Sequence, residues 1–489
     1  MPSQLVRASV WAIAGSASQY IVVFFLLVYL AHILQPRDFG LMATVTVFLD
    51  LGMQIARWGQ LELLQQPRYR NDEARNQSLR LSLAIAIVFA AMFVVGARPM
   101  GLIYHSAQLT QMMYICAAVF PFYAVGSIAE AILRSEFRFR LLAFRNTVVT
   151  LIGAGVAILL ASRGFGPLTL AIQRLAQVSM AAIWVWTAVA WRPRVLGRVA
   201  WSWTLLREGW SVMAGTVLPL VVPRTVDLLV GFMLGATPLG LMRVAYRIND
   251  FVAQMLVLPL VQVANAQLSS LSADLKAMRR AYLRLTQASA AMMCPVLLGL
   301  ALVANEAIPL IFGEKWRPCI PLVQIISLVA LVAPVNLYFS SAMVALGHSR
   351  LVLRQGIFQL IAGLVLAAIA ARISLQAVVI AHVIRATLVC AFNVFDVRRY
   401  MKLRLMDLWH FMAPPYVSTL AMAIAVFSAR QLLAGSSPRL VTLSVLMTVG
   451  GAVYVATLWL GSRMGLWPTH ASLVDALMPR RWRHRQTIG

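Results

Sequence analysis

The residues best suited to chemistry in this sequence are arginines that lie within long apolar segments. An ionised side chain is costly in hydrocarbon, so it generally faces a cavity or a partner of opposite charge. A guanidinium group donates two parallel hydrogen bonds to a phosphate or a carboxylate. A cavity shared by several arginines is therefore suited to a phosphorylated anion. The candidate arginines are Arg57, Arg174, Arg224, Arg247 and Arg385.

Each of these arginines except Arg174 has an acidic or histidine companion at helical spacing, and two interpretations of the companions stay open. Either they form structural ion pairs that hold helices together, or they balance the charge of an anion site and couple transport to protons, since histidine titrates near neutral pH. For Glu130 and Arg134, one helical turn apart, we expect a local ion pair. The companions that could balance charge are Asp50, Asp227, Asp250 and His382.

The composition indicates what kind of protein must position these side chains. Of 489 residues, 61% are hydrophobic and 12% are charged, and the mean hydropathy is +0.80. A soluble protein carries about 25% charged residues. Apolar runs of about 20 residues follow one another along the chain, which is typical of membrane-spanning helices. We predict an all-α integral membrane protein with about fourteen transmembrane helices, including spans near 39–62, 110–133 and 320–346.

The formal net charge of +26 is concentrated in alternate loops. Cytoplasmic loops collect lysine and arginine, so the alternation predicts an even number of spans with both termini cytoplasmic. The same loops are expected to attract anionic membrane lipids. Nucleic acid is not an expected partner, because the basic residues flank membrane helices rather than forming a basic soluble domain. The basic segments lie near residues 68–80, 134–140, 192–207, 276–280, 350, 398–404 and 480–485.

An internal repeat predicts how the spans are organised. Residues 40–42, Gly-Leu-Met, recur at 240–242, and Asp50 recurs as Asp250, so the offset (240 − 40) is 200 residues. Six spans in each half predict a parallel repeat related by an axis along the membrane normal. The predicted regions are a six-helix lobe over 1–200, a second six-helix lobe over 201–405, two additional transmembrane helices over 406–464 and a basic cytoplasmic tail over 465–489.

The sequence contains no recognisable catalytic or metal-binding pattern. The four cysteines lie far apart without CxxC spacing, and the histidines lack ligand partners at zinc spacing. No Walker loop and no GxSxG motif is present. We therefore expect neither an enzyme nor a resident metal or cofactor.

Residues 30–59, LAHILQPRDFGLMATVTVFLDLGMQIARWG, resemble the N-terminal signature of bacterial polysaccharide flippases. In that family the second helix follows an L-x-P-x-x-F/Y-G turn, which Leu34, Pro36, Phe39 and Gly40 match. The family belongs to the multidrug/oligosaccharidyl-lipid/polysaccharide exporter superfamily, and the fourteen-span layout with its repeat is similar to it. The resemblance implies that the protein flips undecaprenyl-pyrophosphate-linked oligosaccharides across the bacterial inner membrane by alternating access of two lobes. It also implies that cavity arginines hold the pyrophosphate.

Within this resemblance we interpret two motif residues as structural and note one departure. Gly40 is expected to permit the tight entry into the helix, and Pro36 is expected to form the turn. The departure is GQLELLQQ at 59–66, where relatives more often show a run like G-x-x-x-A-L-I-Q. It places the acidic residue Glu62 near the inner membrane interface.

Three functional hypotheses follow. The leading one is a flippase for lipid-linked oligosaccharides of lipopolysaccharide O-antigen, capsule or exopolysaccharide, with the polysaccharide polymerase and chain-length machinery as further partners. The first alternative is an ion-coupled multidrug exporter, which the arginine excess opposes because a cationic drug requires acidic contacts. The second is a membrane glycosyltransferase or ligase, which short outer loops and the absence of an acidic catalytic pair oppose.

Overall fold

The computed structural model of the protein describes residues 19–193, 202–433 and 438–464, and all regular elements within these ranges are helices. The predicted all-α membrane class is thereby confirmed. Ten helices in the described ranges are long and apolar enough to cross a membrane, or eleven if one bent pair forms a span. The chain is a multi-pass membrane protein, while the count of about fourteen spans stays a prediction. The predicted basic tail over 465–489 lies outside the described residues.

The α-helices are numbered here in chain order. They are α1 Gln19–Ile33, α2 Pro36–Arg57, α3 Gln60–Leu63, α4 Asp72–Ile103, α5 Ala107–Ala117, α6 Val119–Ser135, α7 Phe139–Ser162, α8 Leu168–Ala188, α9 Trp203–Met233, α10 Ala236–Ser270, α11 Leu275–Phe312, α12 Ile320–Ser327, α13 Ala333–Leu337, α14 Phe339–Ala345, α15 Ser349–Ala370, α16 Leu375–Met401, α17 Leu405–Leu433 and α18 Arg439–Arg463. Short 3₁₀ helices cover Pro67–Tyr69, Glu314–Cys319 and Leu328–Leu331.

The chain divides into two compact units, and the division falls within α10 after Arg243. The first unit contains the described residues up to Arg243 together with Ala371–Leu375. The second contains Val244–Ala370 and the described residues from Gln376 onward. The boundaries of the two repeat lobes at 1–200 and 201–405 stay a prediction.

In the first unit, α6 packs against α2, α4 and α8, and α9 packs along α2. The apolar core between α2, α4 and α6 includes Leu49, Phe93 and Phe120, all almost completely buried. The Phe93 and Phe120 rings meet edge to face with centroids 4.9 Å apart. Because α2 and α8 are both anchored to α6, their polar faces are held at defined positions.

The repeated glycines contact the opposite helix directly. Pro36 is the first residue of α2, as expected for the turn, but Gly40 lies within the helix rather than at the turn. A Cβ atom on Gly40 would lie 1.7 Å from the carbonyl oxygen of Ala236, and one on Gly240 would lie 1.8 Å from that of Pro36. Gly40 therefore serves the entry into α2 through a backbone contact and not through the conformation of a turn. It is required because the backbones of α2 and the start of α10 touch.

Two of the predicted spans in the first unit are interrupted. The span at 39–62 breaks at Trp58 and Gly59, both in the left-handed region at φ 38° and 86°, before α3 begins. The span at 110–133 changes at Ala118 from α5 to α6, three residues before Pro121. Pro36–Leu63 as a whole is nevertheless one candidate membrane span, so the predicted span at 39–62 is retained. Periodicity does not show the break within it, because tertiary contacts stabilise that break.

In the second unit, the predicted span at 320–346 is also broken. Its two parts, Glu314–Leu331 and Ala333–Ala345, meet at an angle of 60°. Side chains from neighbouring helices satisfy the carbonyls at the bend: the Tyr282 hydroxyl donates to Val335 O at 2.9 Å, and the Cys294 thiol donates to Ala330 O at 3.4 Å. Irregular backbone is tolerated at membrane depth when protein groups satisfy it in this way.

The last two described helices, α17 and α18, pack on each other and on α11. The Tyr454 hydroxyl of α18 donates to Ala291 O of α11 at 2.7 Å. Arg430 of α17 pairs with Glu306 of α11 at 2.6 Å. These polar contacts fix how the three helices pack at an otherwise apolar interface, because lipid chains can replace apolar contacts between helices but cannot replace their hydrogen bonds.

Candidate functional site

A cavity of about 230 Å³ lies within the first unit, between α2, α6, α7 and α8. Three arginines line it: Arg57 from α2, Arg145 from α7 and Arg174 from α8. Glu130 of α6 is the one carboxylate in the described lining. The lining thus carries three guanidinium groups against one carboxylate, and its surface has an excess of positive charge.

Arg57 is the last residue of α2, so its side chain is positioned by the helix break that follows it. One guanidinium nitrogen, Nη2, lies 3.6 Å from Oε1 of Glu62. The side chain is 21% exposed, which leaves it accessible from the cavity. The acidic residue that departs from the family pattern is therefore a neighbour of a predicted site arginine.

Arg145 is not among the site residues that the sequence predicts. Its side chain is 8% exposed, and its Nη1 lies 3.1 Å from Oε2 of Glu130, whose other oxygen accepts from Arg134 at 2.7 Å. The expected Glu130–Arg134 ion pair is thereby confirmed, but Glu130 bridges two arginines. The available signal for Arg145 was its position inside an apolar segment directly before Asn146, whose side-chain oxygen it also contacts at 2.7 Å.

Arg174 begins a chain of alternating charges that connects four helices. Its Nη2 lies 3.3 Å from Oδ1 of Asp50, and the other oxygen of Asp50 accepts from Arg224 of α9. Arg224 also lies 3.7 Å from the buried carboxylate of Asp227, which accepts in turn from Arg243 of α10. Two aspartates thus hold three arginines, and Arg224 and Asp227, at helical spacing, form an ion pair.

The remaining predicted residues lie in the second unit. Arg385 Nη2 lies 3.2 Å from Nδ1 of His382. The His382 ring meets Tyr246 edge to face, with centroids 5.2 Å apart. Arg247 and Asp250 are exposed on α10.

The structure therefore brings Arg57 and Arg174 into one cavity and joins Asp50, Arg224 and Asp227 into a network that begins at Arg174. Within the described ranges, no group of three histidine, cysteine or acidic residues could hold a metal ion. The chemistry available to the cavity is the binding of an anion by guanidinium groups.

Solved structures with a similar fold are membrane transporters. The lipid II flippase MurJ in an inward closed conformation superposes with a TM-score of 0.74 over 94% of this chain and 100% of that chain, at 12% sequence identity. An inward-facing multidrug resistance MATE family transporter of the MOP superfamily superposes with a TM-score of 0.61 over 79% of this chain and 94% of that chain, at 15% identity. At these identities the likeness concerns the fold.

Two curated relatives are similar in sequence. The succinoglycan biosynthesis transport protein ExoT of Rhizobium meliloti is 21% identical over 65% of this chain, and the lipopolysaccharide biosynthesis protein WzxC of Escherichia coli is 23% identical over 65% of it. The chain spans 64% and 65% of the lengths of these two relatives.

A protein family matches a large part of the chain. Residues 29–321 match the family described as polysaccharide biosynthesis protein, which is more than half of the sequence. The match includes residues 30–59, which carry the resemblance to polysaccharide flippases, and that resemblance is confirmed. The chain belongs to the polysaccharide biosynthesis protein family.

Proposed function

We propose that the protein translocates undecaprenyl-pyrophosphate-linked oligosaccharides across the bacterial inner membrane, for the synthesis of lipopolysaccharide O-antigen, capsule or exopolysaccharide. The observation that carries this proposal is the arginine-rich cavity of the first unit. A guanidinium group binds two phosphate oxygens at once, so a diphosphate is the ligand that such a surface favours. Family membership and the transport named for ExoT support the same class of substrate.

The contacts of the cavity arginines favour two of them as the first to meet the diphosphate. Arg174 and Arg57 lie 3.3 and 3.6 Å from their carboxylate partners, whereas Arg145 is more deeply buried and lies 3.1 Å from Glu130. Guanidinium groups held by long ion pairs keep hydrogen-bonding capacity for a ligand. We assign the diphosphate to Arg57 and Arg174, with Arg145 behind them.

The other predicted residues keep roles that depend on their surroundings. Arg224, Arg247 and Arg385 remain candidate substrate contacts along the transport path. Asp50 and Asp227 balance arginine charge in the empty protein, and Asp250 and His382 are candidates for the same role or for ion coupling. An incoming diphosphate would take over part of this balancing.

The charge of the cavity also separates the alternatives. A fold shared with MATE transporters is compatible with drug export, but a cationic drug would meet three arginines and one carboxylate in the described lining. A glycosyltransferase or ligase would require acidic catalytic groups, and the cavity residues instead suit binding. The protein is therefore proposed to be a transporter and not an enzyme.

The basic loops support a location in the bacterial inner membrane with both termini cytoplasmic. In this orientation the loops face anionic lipids of the inner leaflet. The lipid-linked oligosaccharide is the proposed substrate, and the polymerase and chain-length machinery are proposed partners because they would use the translocated units.

Deletion of the gene followed by mass spectrometry of inner-membrane lipids tests the proposal. We expect an undecaprenyl-pyrophosphate-linked oligosaccharide to accumulate and the surface polysaccharide to fall. Complementation with Arg57→Gln or Arg174→Gln should restore protein but little polysaccharide, whereas Arg163→Gln, which changes an exposed arginine in a loop, should restore both. Normal surface polysaccharide in the deletion strain, without lipid accumulation, would refute the proposal.

A further inference from the structure

The helix break after Arg57 brings an acidic residue to a position that a continuous helix would not allow. In an unbroken α-helix, residues five apart point about 140° away from each other. The left-handed conformations of Trp58 and Gly59 redirect the chain, so Glu62 returns to within 3.6 Å of the Arg57 guanidinium. The break therefore determines which charge Arg57 faces.

The break is held in place by buried contacts. Trp58 is completely buried, and a Cβ atom on Gly209 of α9 would lie 2.2 Å from its ring. The Gln60 side chain donates to Ser127 at 2.5 Å and accepts from Ser82 at 2.7 Å. Contacts from three neighbouring helices thus stabilise a strained backbone that tertiary structure alone can maintain.

The pair between Arg57 and Glu62 is incomplete. The distance of 3.6 Å exceeds that of a hydrogen bond, and Oε2 of Glu62 is buried without a hydrogen-bond partner among the described residues. By contrast, Arg354 donates to both oxygens of Asp396 at 2.6 and 2.7 Å. An ion pair without hydrogen bonds is readily exchanged for a better acceptor.

We propose that Glu62 is the resident counter-ion of Arg57, and that an anionic phosphate entering the cavity takes its place. This inference rests on the proposed function, because it takes a diphosphate as the anion that reaches Arg57. Arg57 is among the residues that line the cavity and Glu62 is not, so a ligand in the cavity meets the arginine directly. The carboxylate lowers the affinity for the anion and thereby favours its release after translocation.

The test measures binding of inorganic pyrophosphate to the purified full-length protein in lipid nanodiscs by calorimetry. We expect Glu62→Gln to bind pyrophosphate about fivefold more tightly than the wild type, the upper end for a partly exposed pair. The matched control is Glu73→Gln, an exposed acid at the start of α4, which should leave the affinity unchanged. In the Arg57→Gln background, Glu62→Gln should have no further effect.

A purely structural role for Glu62 would give a different pattern. Equal affinities of the wild type and Glu62→Gln, or tightening that persists in the Arg57→Gln background, overturn the exchange. Glu62→Asp keeps the charge but withdraws it by one methylene, so it should fold normally and bind more tightly by a smaller factor. Equal affinity of Glu62→Asp and the wild type also overturns it. If wild-type protein binds no pyrophosphate, the anion site itself fails, which distinguishes that result from failure of the exchange alone.

Discussion

The contact between Gly40 and Gly240 gives the sharpest structural prediction. A methyl group added by Gly40→Ala would lie 1.7 Å from the Ala236 carbonyl oxygen, while ordinary contact begins at 3.4 Å. The helices α2 and α10 must therefore separate by about 1.7 Å at this point, because neither backbone can rotate out of the way. Overpacking of this kind costs about 1–3 kcal/mol of stability.

The measurement is the thermal unfolding of purified protein in one detergent, followed by tryptophan fluorescence and by size exclusion. We expect both Gly40→Ala and Gly240→Ala to unfold at lower temperature than the wild type. The matched control is Gly155→Ala in α7, where a Cβ atom has no neighbour within 4 Å. Alanine is favoured over glycine in a helix by about 1 kcal/mol, so the control should be neutral or stabilising.

The double variant tests whether the two glycines form one contact. Once Gly40→Ala has separated the helices, the second methyl group finds part of its space already open, so the combined loss should be smaller than the sum of the two. Additive losses would show that the glycines act separately. Unchanged stability of Gly40→Ala would refute the backbone contact altogether.

Two further predictions concern ion pairs. Asp50→Asn leaves Arg174 and Arg224 without the carboxylate that bridges them, so the free energy of unfolding should fall by about 1–3 kcal/mol and polysaccharide export should decrease. Asp50→Glu keeps the charge and should retain more of both. Wild-type stability of Asp50→Asn would contradict the bridge. Glu306→Gln should weaken the docking of α17 on α11, and adding Arg430→Gln should cost less than the two single losses combined, because removing both partners leaves no buried charge unpaired. Limited proteolysis and thermal unfolding report both, and fully additive losses would argue against the pair.

The broken spans show where periodicity stops being informative. Hydrophobic runs locate apolar helices well, because lipid-facing and core-facing residues are both apolar along the whole span. When a run is apolar on every side, its hydrophobic pattern is the same whether the helix is continuous or broken. Trp58 reads as an ordinary membrane residue, and only its burial against Gly209 explains why the chain turns there.

The repeated glycines illustrate a different gap. The offset between Gly40 and Gly240 indicates an internal repeat, but the local sequence suggests only that Gly40 permits the entry into the helix. The structure requires glycine at position 40 because the backbone of Ala236, about two hundred residues away in the chain, lies against it. Contacts of that separation have no trace in local sequence.

For the candidate site, too, the sequence determined some features and the tertiary structure determined others. The sequence by itself determined the membrane class, the family and the arginines that lie within apolar spans. These arginines stand out because a charged side chain in hydrocarbon carries a large desolvation cost. Only the tertiary structure decided which of them share a cavity, that Arg145 joins Arg57 and Arg174 there, and that Glu62 faces Arg57 across a helix break. The physical reason is that desolvation acts on each residue separately, whereas pairing of charges depends on how helices are rotated and interrupted against one another.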